Sequence, residues 1–482
     1  MLKKKYWQVL SQKQDELRQK ISQDPWRLTY HLMPETGWMN DPNGLCQLNG
    51  TVHFYHQYVP QEASGGEAPH WGHKTSTDFV SFKEEPIFLS PEHDYDRDGV
   101  YSGSAFVENG QIHFFYTGNV KHPGDHEYIY SGREQNTVHV VSNDGFSVIK
   151  QEVVIPHEAY PEGFTDHIRD PKVFKRGDTY YMILGARTVE NEGKILIYES
   201  ADLSQWCYRG IFFGEDYDLG YMWECPDYFQ IDGQDVLMFS PQGIPNKPNA
   251  FQNRFHSGYV FGSVNWETLT FQESSPFREL DHGFDFYAPQ TFSDEQRRRL
   301  LWGWMGLGDT LPEYSNPTVA RGWQHAATLP RELLIRHNKL VQLPISELQG
   351  LRGTHQHKQV QASDGMIEWT VPDRCYEMII EVEQGDPCWQ IALLEDTTLS
   401  YDGQVFTMSH GISGFGRKHR RVQIDDLTQI RLFVDTSSIE LFLNEGIACM
   451  TARVYPRKPK DMIITGIDQC QITYWPLAKK DC

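Results

Sequence analysis

No stretch of the 482 residues runs for 18 uncharged apolar residues, so no segment is long enough to cross a bilayer as a helix. The opening segment, MLKKKYWQVLSQKQDELRQKI, carries lysines but no apolar run behind them, and does not read as a secretory leader. Positive charge is in the minority. Lys and Arg number 44 against 65 Asp and Glu, a formal charge of −21, which repels nucleic acid and anionic lipid. The cysteines, Cys46, Cys207, Cys225, Cys375, Cys388, Cys449, Cys470 and Cys482, form no CxxC pair and have no histidines at zinc spacing. They read as reduced thiols in a cytoplasmic protein. Helical periodicity is nearly absent between residues 28 and 340, and no low-complexity segment interrupts the chain.

What is present is aromatic and β-branched. Short runs such as TVHFYHQYV, GQIHFFYTG, DTYYMILGA, KILIYES, QDVLMFSPQ and RRLLWGWMG are separated by turn clusters and read as strands. The class is all-β, and the spacing fits a sandwich or a propeller of four-stranded blades. Residues 1–22 read as an amphipathic helix lying on the body, with Tyr6, Val9, Leu10, Leu17 and Ile21 near helical spacing. KLVQLPISELQGLRGT, residues 339–354, reads as a short linker and helix. Beyond it, QIRLFVDTSSIELFLNEG predicts a hairpin turning near Thr436 to Ser438. A boundary near residue 345 therefore separates a domain of residues 1–345 from one of residues 346–482, whose size suits a β-sandwich.

Acids recur beside prolines at the ends of apolar stretches: Asp41 in GWMNDPNG, Asp170 in HIRDPKVF and Glu224 in MWECPDYF. One Asp-Pro-Asn-Gly run is explained as a turn. Three such sites, flanked by Trp38, Arg169 and Trp223, exceed turn chemistry and suit tuned carboxylates set against flat apolar faces. Glycoside hydrolysis needs two carboxylates at one bond, with environments that push their pKa values apart. Glu224, beside Trp223 and Cys225, has the more apolar neighbours and suits the protonated acid. Asp41, among amides and turn N–H donors, suits the ionised nucleophile.

GWMNDPNG, HFYHQY, WGHKTSTDFVSF, VYSGSA, HIRDPKVF, MWECPD, DFYAPQTF, GWM and GWQHAATLPREL, in this order, resemble the family 32 glycoside hydrolases, which include invertases, sucrose-6-phosphate hydrolases and fructan hydrolases. VDTSSIELFLNEG looks like the family's C-terminal sandwich. The resemblance implies a five-bladed β-propeller with a central funnel, followed by a β-sandwich. Five blades over this length allot about 63 residues to each. The 129 residues from Asp41 to Asp170 then span two blades, and the 54 from Asp170 to Glu224 span one.

Carried over by position, the resemblance makes Asp41 the nucleophile, Asp170 a transition-state stabiliser that binds fructose hydroxyls, and Glu224 the acid/base. Asn40, Gln57, Trp71, Tyr101, Ser102, Arg169, Tyr287 and Trp304 match substrate-pocket positions. It implies no metal and no cofactor. Two departures stand out: Gly66 lies where many relatives carry a tryptophan, which leaves one pocket wall open or filled from elsewhere, and His56 replaces a frequent tyrosine.

The reaction expected is retaining hydrolysis of a β-fructofuranoside. The substrate is sucrose 6-phosphate or sucrose, with short fructo-oligosaccharides open. Lys247, Arg254 and Arg187 are candidate phosphate ligands. Fructosyl transfer uses the same residues, and a carbohydrate-binding propeller without catalysis is the rival from another class. The sandwich is expected to serve as structural support or a dimer contact in a monomer or homodimer.

Overall fold

The computed structural model describes residues 15–478 apart from 216, 311–313 and 459. Five antiparallel sheets follow one another along residues 37–89, 100–155, 164–213, 222–279 and 287–344. The first strands of these sheets, Gly37–Leu48, Val100–Glu108, Phe164–Arg176, Met222–Ile231 and Tyr287–Ser293, touch in a closed ring. This is a five-bladed propeller, each blade radiating outward from its first strand. Aromatic and β-branched residues fill the spaces between neighbouring blades, as where Trp71, Phe114 and Val140 pack between blades one and two. The ring is clasped by Trp323–Gln324, which pairs in parallel with Gly37 and Trp38 inside the first blade. Asp41, Asp170 and Glu224 accordingly sit on blades one, three and four, the separation that the blade length implied.

One irregularity repeats in all five inner strands. Between the paired positions Met39 and Pro42 the inner strand advances three residues while its neighbour advances two. The same one-residue excess lies between Val100 and Gly103, Arg169 and Lys172, Glu224 and Asp227, and Tyr287 and Gln290. A β-bulge bends its strand and re-aims the side chains around it. Four of the five carry proline at the bulge or just after it, where a missing N–H costs no ladder bond. Asp170, Cys225 and Ala288, each preceding its proline, lie at φ 65, 48 and 45°. The acid–proline pairs are thus bulges at the mouth of the ring and not chain-reversing turns.

After the last strand of blade five, Lys339–Pro344, comes a 3-10 turn at Ser346–Leu351. The first half of the segment expected as linker and helix is therefore strand, and the second half a 3-10 turn. Ten further strands form one sheet folded over on itself into two layers. Two long strands, Tyr376–Leu393 and Met462–Pro476, carry it from layer to layer through register shifts between Val382 and Gln390. The layers enclose an apolar core that includes Trp369, Met378, Trp389 and Leu441, so the expected sandwich is nearly closed. The hairpin turns at Thr436 and Ser437, between the paired Asp435 and Ser438. Residues 15–21 are helical, with Leu17 and Ile21 against Trp323 and Tyr455. Tyr6, Val9 and Leu10 lie outside the described residues.

Candidate active site

At the mouth of the ring the five bulges surround a funnel of about 760 Å³, to which every blade contributes. Asn40, Asp41, Gln57, Tyr101, Ser102, Arg169, Asp170, Glu224, Tyr287 and Trp304 all line it. Trp71 does not. Its ring is fully buried between blades one and two, and its Nε1–H donates to the Tyr101 carbonyl at 3.0 Å. Its strand, His70–Ser76, is the third of its blade, too far out to reach the funnel, so Trp71 is a packing residue.

Asp41 is held by neutral groups. Ser102 Oγ donates to its Oδ2 at 2.5 Å and Asn40 Nδ2 to its Oδ1 at 3.2 Å. Asn40 also donates to Gln57 Oε1 at 3.0 Å, and Gln57 Nε2 to Ser102 Oγ at 2.6 Å. This closed loop of amides and a hydroxyl spans two blades and fixes the carboxylate's orientation. Trp38 Nε1, donating to Asn40 Oδ1 at 2.9 Å, extends it to the funnel wall.

Glu224 is held by strong donors. Arg169 Nε and Nη2 both reach its Oε1, at 3.1 and 2.5 Å, while Tyr287 Oη and Gln242 Nε2 reach Oε2 at 2.6 and 2.7 Å. Asp170 is tied to both other acids through their neighbours, with Arg169 Nε 4.0 Å from its Oδ2. It accepts the Cys225 N–H at 3.0 Å, and the Cys225 sulfur sits 3.7 Å from Asp170 Oδ2 and 3.9 Å from Asp41 Oδ2.

These partners set the ionisation. Burial pushes Asp41 up to about 6, against the hydrogen bond from Ser102. Burial also pushes Asp170 up, and the nearby charges of Glu224 and Asp41 add to it against Arg169. Burial raises Glu224 too, but Arg169, Tyr287 and Gln242 outweigh it and hold the group below its ordinary value. The sequence neighbours suggested the opposite, a raised Glu224 and a readily ionised Asp41. Residues adjacent in the chain point away from one another on a strand, whereas the field at each carboxylate comes from other blades.

Gln242 belongs to the site and was not singled out from sequence, and Trp38, noted there only as the flank of Asp41, lines the funnel as well. The expected gap at Gly66 is partly closed by Trp38, because Gly65 lies flat against its indole and both glycines line the funnel. His56 is fully buried on the second strand of its blade, with Nδ1 3.0 Å from the Gln57 carbonyl, and is a packing residue. Of the three candidate phosphate ligands, Arg187 and Arg254 line the funnel rim. Lys247 does not; it lies in a side loop bridged to Ala250, with Nζ 5.2 Å from the Phe251 ring centroid.

Comparison with known proteins agrees with this architecture. A model of the glycosyl hydrolases family 32 N-terminal domain matches residues 31–344, and one of the family's C-terminal domain matches residues 347–468. The chain is similar to the sucrose-6-phosphate hydrolase of Bacillus subtilis, at 36% identity over 94% of this chain and 95% of that protein. Among solved structures, sucrose-6-phosphate hydrolase from Lactobacillus gasseri superposes with TM-score 0.87 at 27% identity, covering 97% of this chain and 96% of that one. A variant of Bombyx mori β-fructofuranosidase in complex with sucrose superposes with TM-score 0.84 at 28% identity, covering 98% of each chain.

Proposed function

Since the chain belongs to glycoside hydrolase family 32 and is a β-fructofuranosidase of the sucrose and sucrose 6-phosphate class, we propose that Asp41, Asp170 and Glu224 carry the reaction by a retaining, two-step route. In the first step Asp41 bonds to the anomeric C2 of the fructosyl unit as the C2–O bond breaks. Glu224 gives its proton to the departing oxygen. In the second step Glu224 takes a proton from water, the water oxygen bonds to C2, and the Asp41–C2 bond breaks. Asp170 holds ring hydroxyls whose hydrogen bonds tighten as the ring flattens toward an oxocarbenium ion.

The observation that carries this reading is the meeting of three acids around one arginine. Arg169 binds Glu224, and the Cys225 N–H and sulfur link Asp170 toward Asp41. Asp41, the acid without an arginine in contact, is free to attack; Glu224 is clamped by three donors at a fixed place beside it. The proton that burial retains on Asp41 or Asp170 in the free site is the one Glu224 delivers, transferred within the cluster as the substrate binds.

Two substrates test the roles. Glu224→Ala should lose cleavage of sucrose by a factor of 10³ or more yet retain release of fluoride from fructosyl fluoride, a leaving group that needs little acid help. Asp41→Ala should be inactive toward both, since no covalent intermediate forms. Fluoride release by Asp41→Ala with none by Glu224→Ala would reverse the assignment.

A further inference from the structure

Just inside the bulges that carry Asp170 and Glu224, two opposite charges are buried against each other. Lys172 and Asp227 are the first paired residues past those bulges, on blades three and four. Lys172 Nζ donates to Asp227 Oδ2 at 3.0 Å and to the Thr291 carbonyl of blade five at 2.6 Å. The same Asp227 Oδ2 accepts the Thr291 N–H and Oγ1–H, each at 2.8 Å. Asp227 is fully buried and Lys172 nearly so, and Asp227 Oδ1 has no hydrogen-bond partner among the described residues. One node therefore joins the inner strands of three consecutive blades.

Stability alone does not account for a charged node at this place. Desolvating two ions offsets much of their attraction, and apolar residues of similar volume fill such sites equally well. Burial pulls the Lys172 pKa down, with Asp227 opposing and Arg299 adding to it. Neighbouring junctions are tied without charge: Gly103 N–H donates to Asn43 Oδ1 at 3.0 Å between blades one and two, and Ser104 Oγ to the Pro171 carbonyl at 2.7 Å between blades two and three. The charged node falls where the clamp on Glu224 is assembled. Arg169 reaches Glu224 from blade three and Tyr287 from blade five, at 2.5 and 2.6 Å, and both belong to the strands that Lys172 and Thr291 fasten to Asp227. A shift of either strand against blade four opens one jaw of that clamp.

We propose that Lys172 and Asp227 are positioning residues for the acid/base step: their ion pair, with Thr291, sets the spacing of blades three, four and five and so holds Glu224 at the departing oxygen. Asp41 and Asp170 have moorings of their own. Ser102 of blade two holds Asp41, and Thr117 of the same blade accepts the Asp170 N–H at 3.0 Å. The pair acts through Glu224, so its effect falls on the chemistry that needs a proton delivered. The inference rests on the reading of Glu224 as acid/base and adds to it the device that places that group.

The test replaces the pair by apolar residues in the full chain, as Lys172→Met with Asp227→Leu, and follows thermal melts, sucrose kinetics and first-turnover fluoride release from fructosyl fluoride. Tm should stay near the native value, because the double change leaves no lone buried charge. kcat for sucrose should fall about a hundredfold, the effect of a misplacement of about 1 Å, with KM little changed. Fluoride release should keep most of its rate, since fluoride leaves with little acid help. Asp227→Asn, which keeps the side chain's volume and an acceptor for Thr291, should show the same split at smaller size. A folded variant with native kcat on sucrose, or one that loses sucrose and fluoride cleavage in equal measure, overturns the positioning role, as does failure of both variants to fold. A native protein that cleaves neither substrate overturns the underlying reading instead.

Discussion

Asp41 and Glu224 are shifted in opposite directions, and those directions are inconvenient for catalysis. Attack needs Asp41 ionised and Glu224 protonated, yet burial pushes Asp41 up to about 6, while Arg169, Tyr287 and Gln242 hold Glu224 down. The working state is then a minor tautomer of a site whose proton is shared among Asp41, Asp170 and Glu224, and its population follows the cluster and not any one group alone. Raising the pH removes that proton. kcat/KM should therefore fall as pH rises through about 6 to about 7, with an acid limb below the ordinary glutamate range; a plateau extending to pH 8 in a kcat/KM profile would contradict these shifts. The same burial acts on stability. A carboxyl whose folded pKa is raised favours the folded state most below its unfolded value, and that contribution is lost as pH rises through about 6. Asp41→Asn should thus raise Tm by a few degrees at pH 7.5, with the gain shrinking toward pH 5, in paired thermal melts.

At the level of the element, the bulge is the repeated device. In blade two the position matching the prolines is followed by Gly103, whose N–H donates to Asn43 Oδ1 at 3.0 Å. A Cβ built there would lie 1.9 Å from the Phe115 carbonyl oxygen, backbone that cannot step aside. Gly103→Ala must therefore displace the inner strand that carries Ser102, loosening the loop of hydrogen bonds around Asp41. The expected result is a loss of roughly 1–3 kcal/mol in stability, as for overpacked cores, together with a kcat reduced at least tenfold. Chemical denaturation and sucrose kinetics on the same variant measure both. Unchanged kcat in a destabilised protein would mean that Ser102 does not orient Asp41. Trp71 illustrates the converse: it is next to a site-forming strand, but it faces the neighbouring blade and fills space.

Across the whole molecule, the sandwich is bound to the propeller by buried charge. His31 lies between Asp435 and Glu440 of the sandwich, with Nδ1 and Nε2 each 2.9 Å from a carboxylate oxygen. Arg331 of blade five donates to the other oxygen of Glu440 at 2.6 Å and to Asp281 at 3.2 Å. All these side chains are excluded from solvent. Burial lowers the His31 pKa, but its two carboxylates outweigh that and raise it overall. The stabilisation it contributes is then full below its unfolded value of about 6.5 and is lost as pH rises past the folded value. His31→Ala should cost about 3–5 kcal/mol, the penalty for removing one partner of a buried pair. The Tm deficit should be larger at pH 6 than at pH 9, with KM for sucrose little changed. An equal deficit at both pH values would show that His31 is neutral in the folded protein.

The strands were legible in the residues alone, because alternating aromatic and β-branched runs have no other stable partner than a sheet. The sequence also marked the acids beside prolines, since that pairing recurs where a strand must bulge. The motif order implied the blade separations on which Asp41, Asp170 and Glu224 stand. That Trp38 faces the funnel and Trp71 does not was legible only in the folded ring, because a side chain's direction depends on its strand's place in the blade. Only the ring showed Arg187 and Arg254 on one rim with Lys247 elsewhere, since ring closure brings together loops more than 60 residues apart. The ionisation of the acids was decided there too. The field at a buried carboxylate is summed over groups from several blades, and Arg169, Tyr287 and Gln242 meet Glu224 only once the ring has closed.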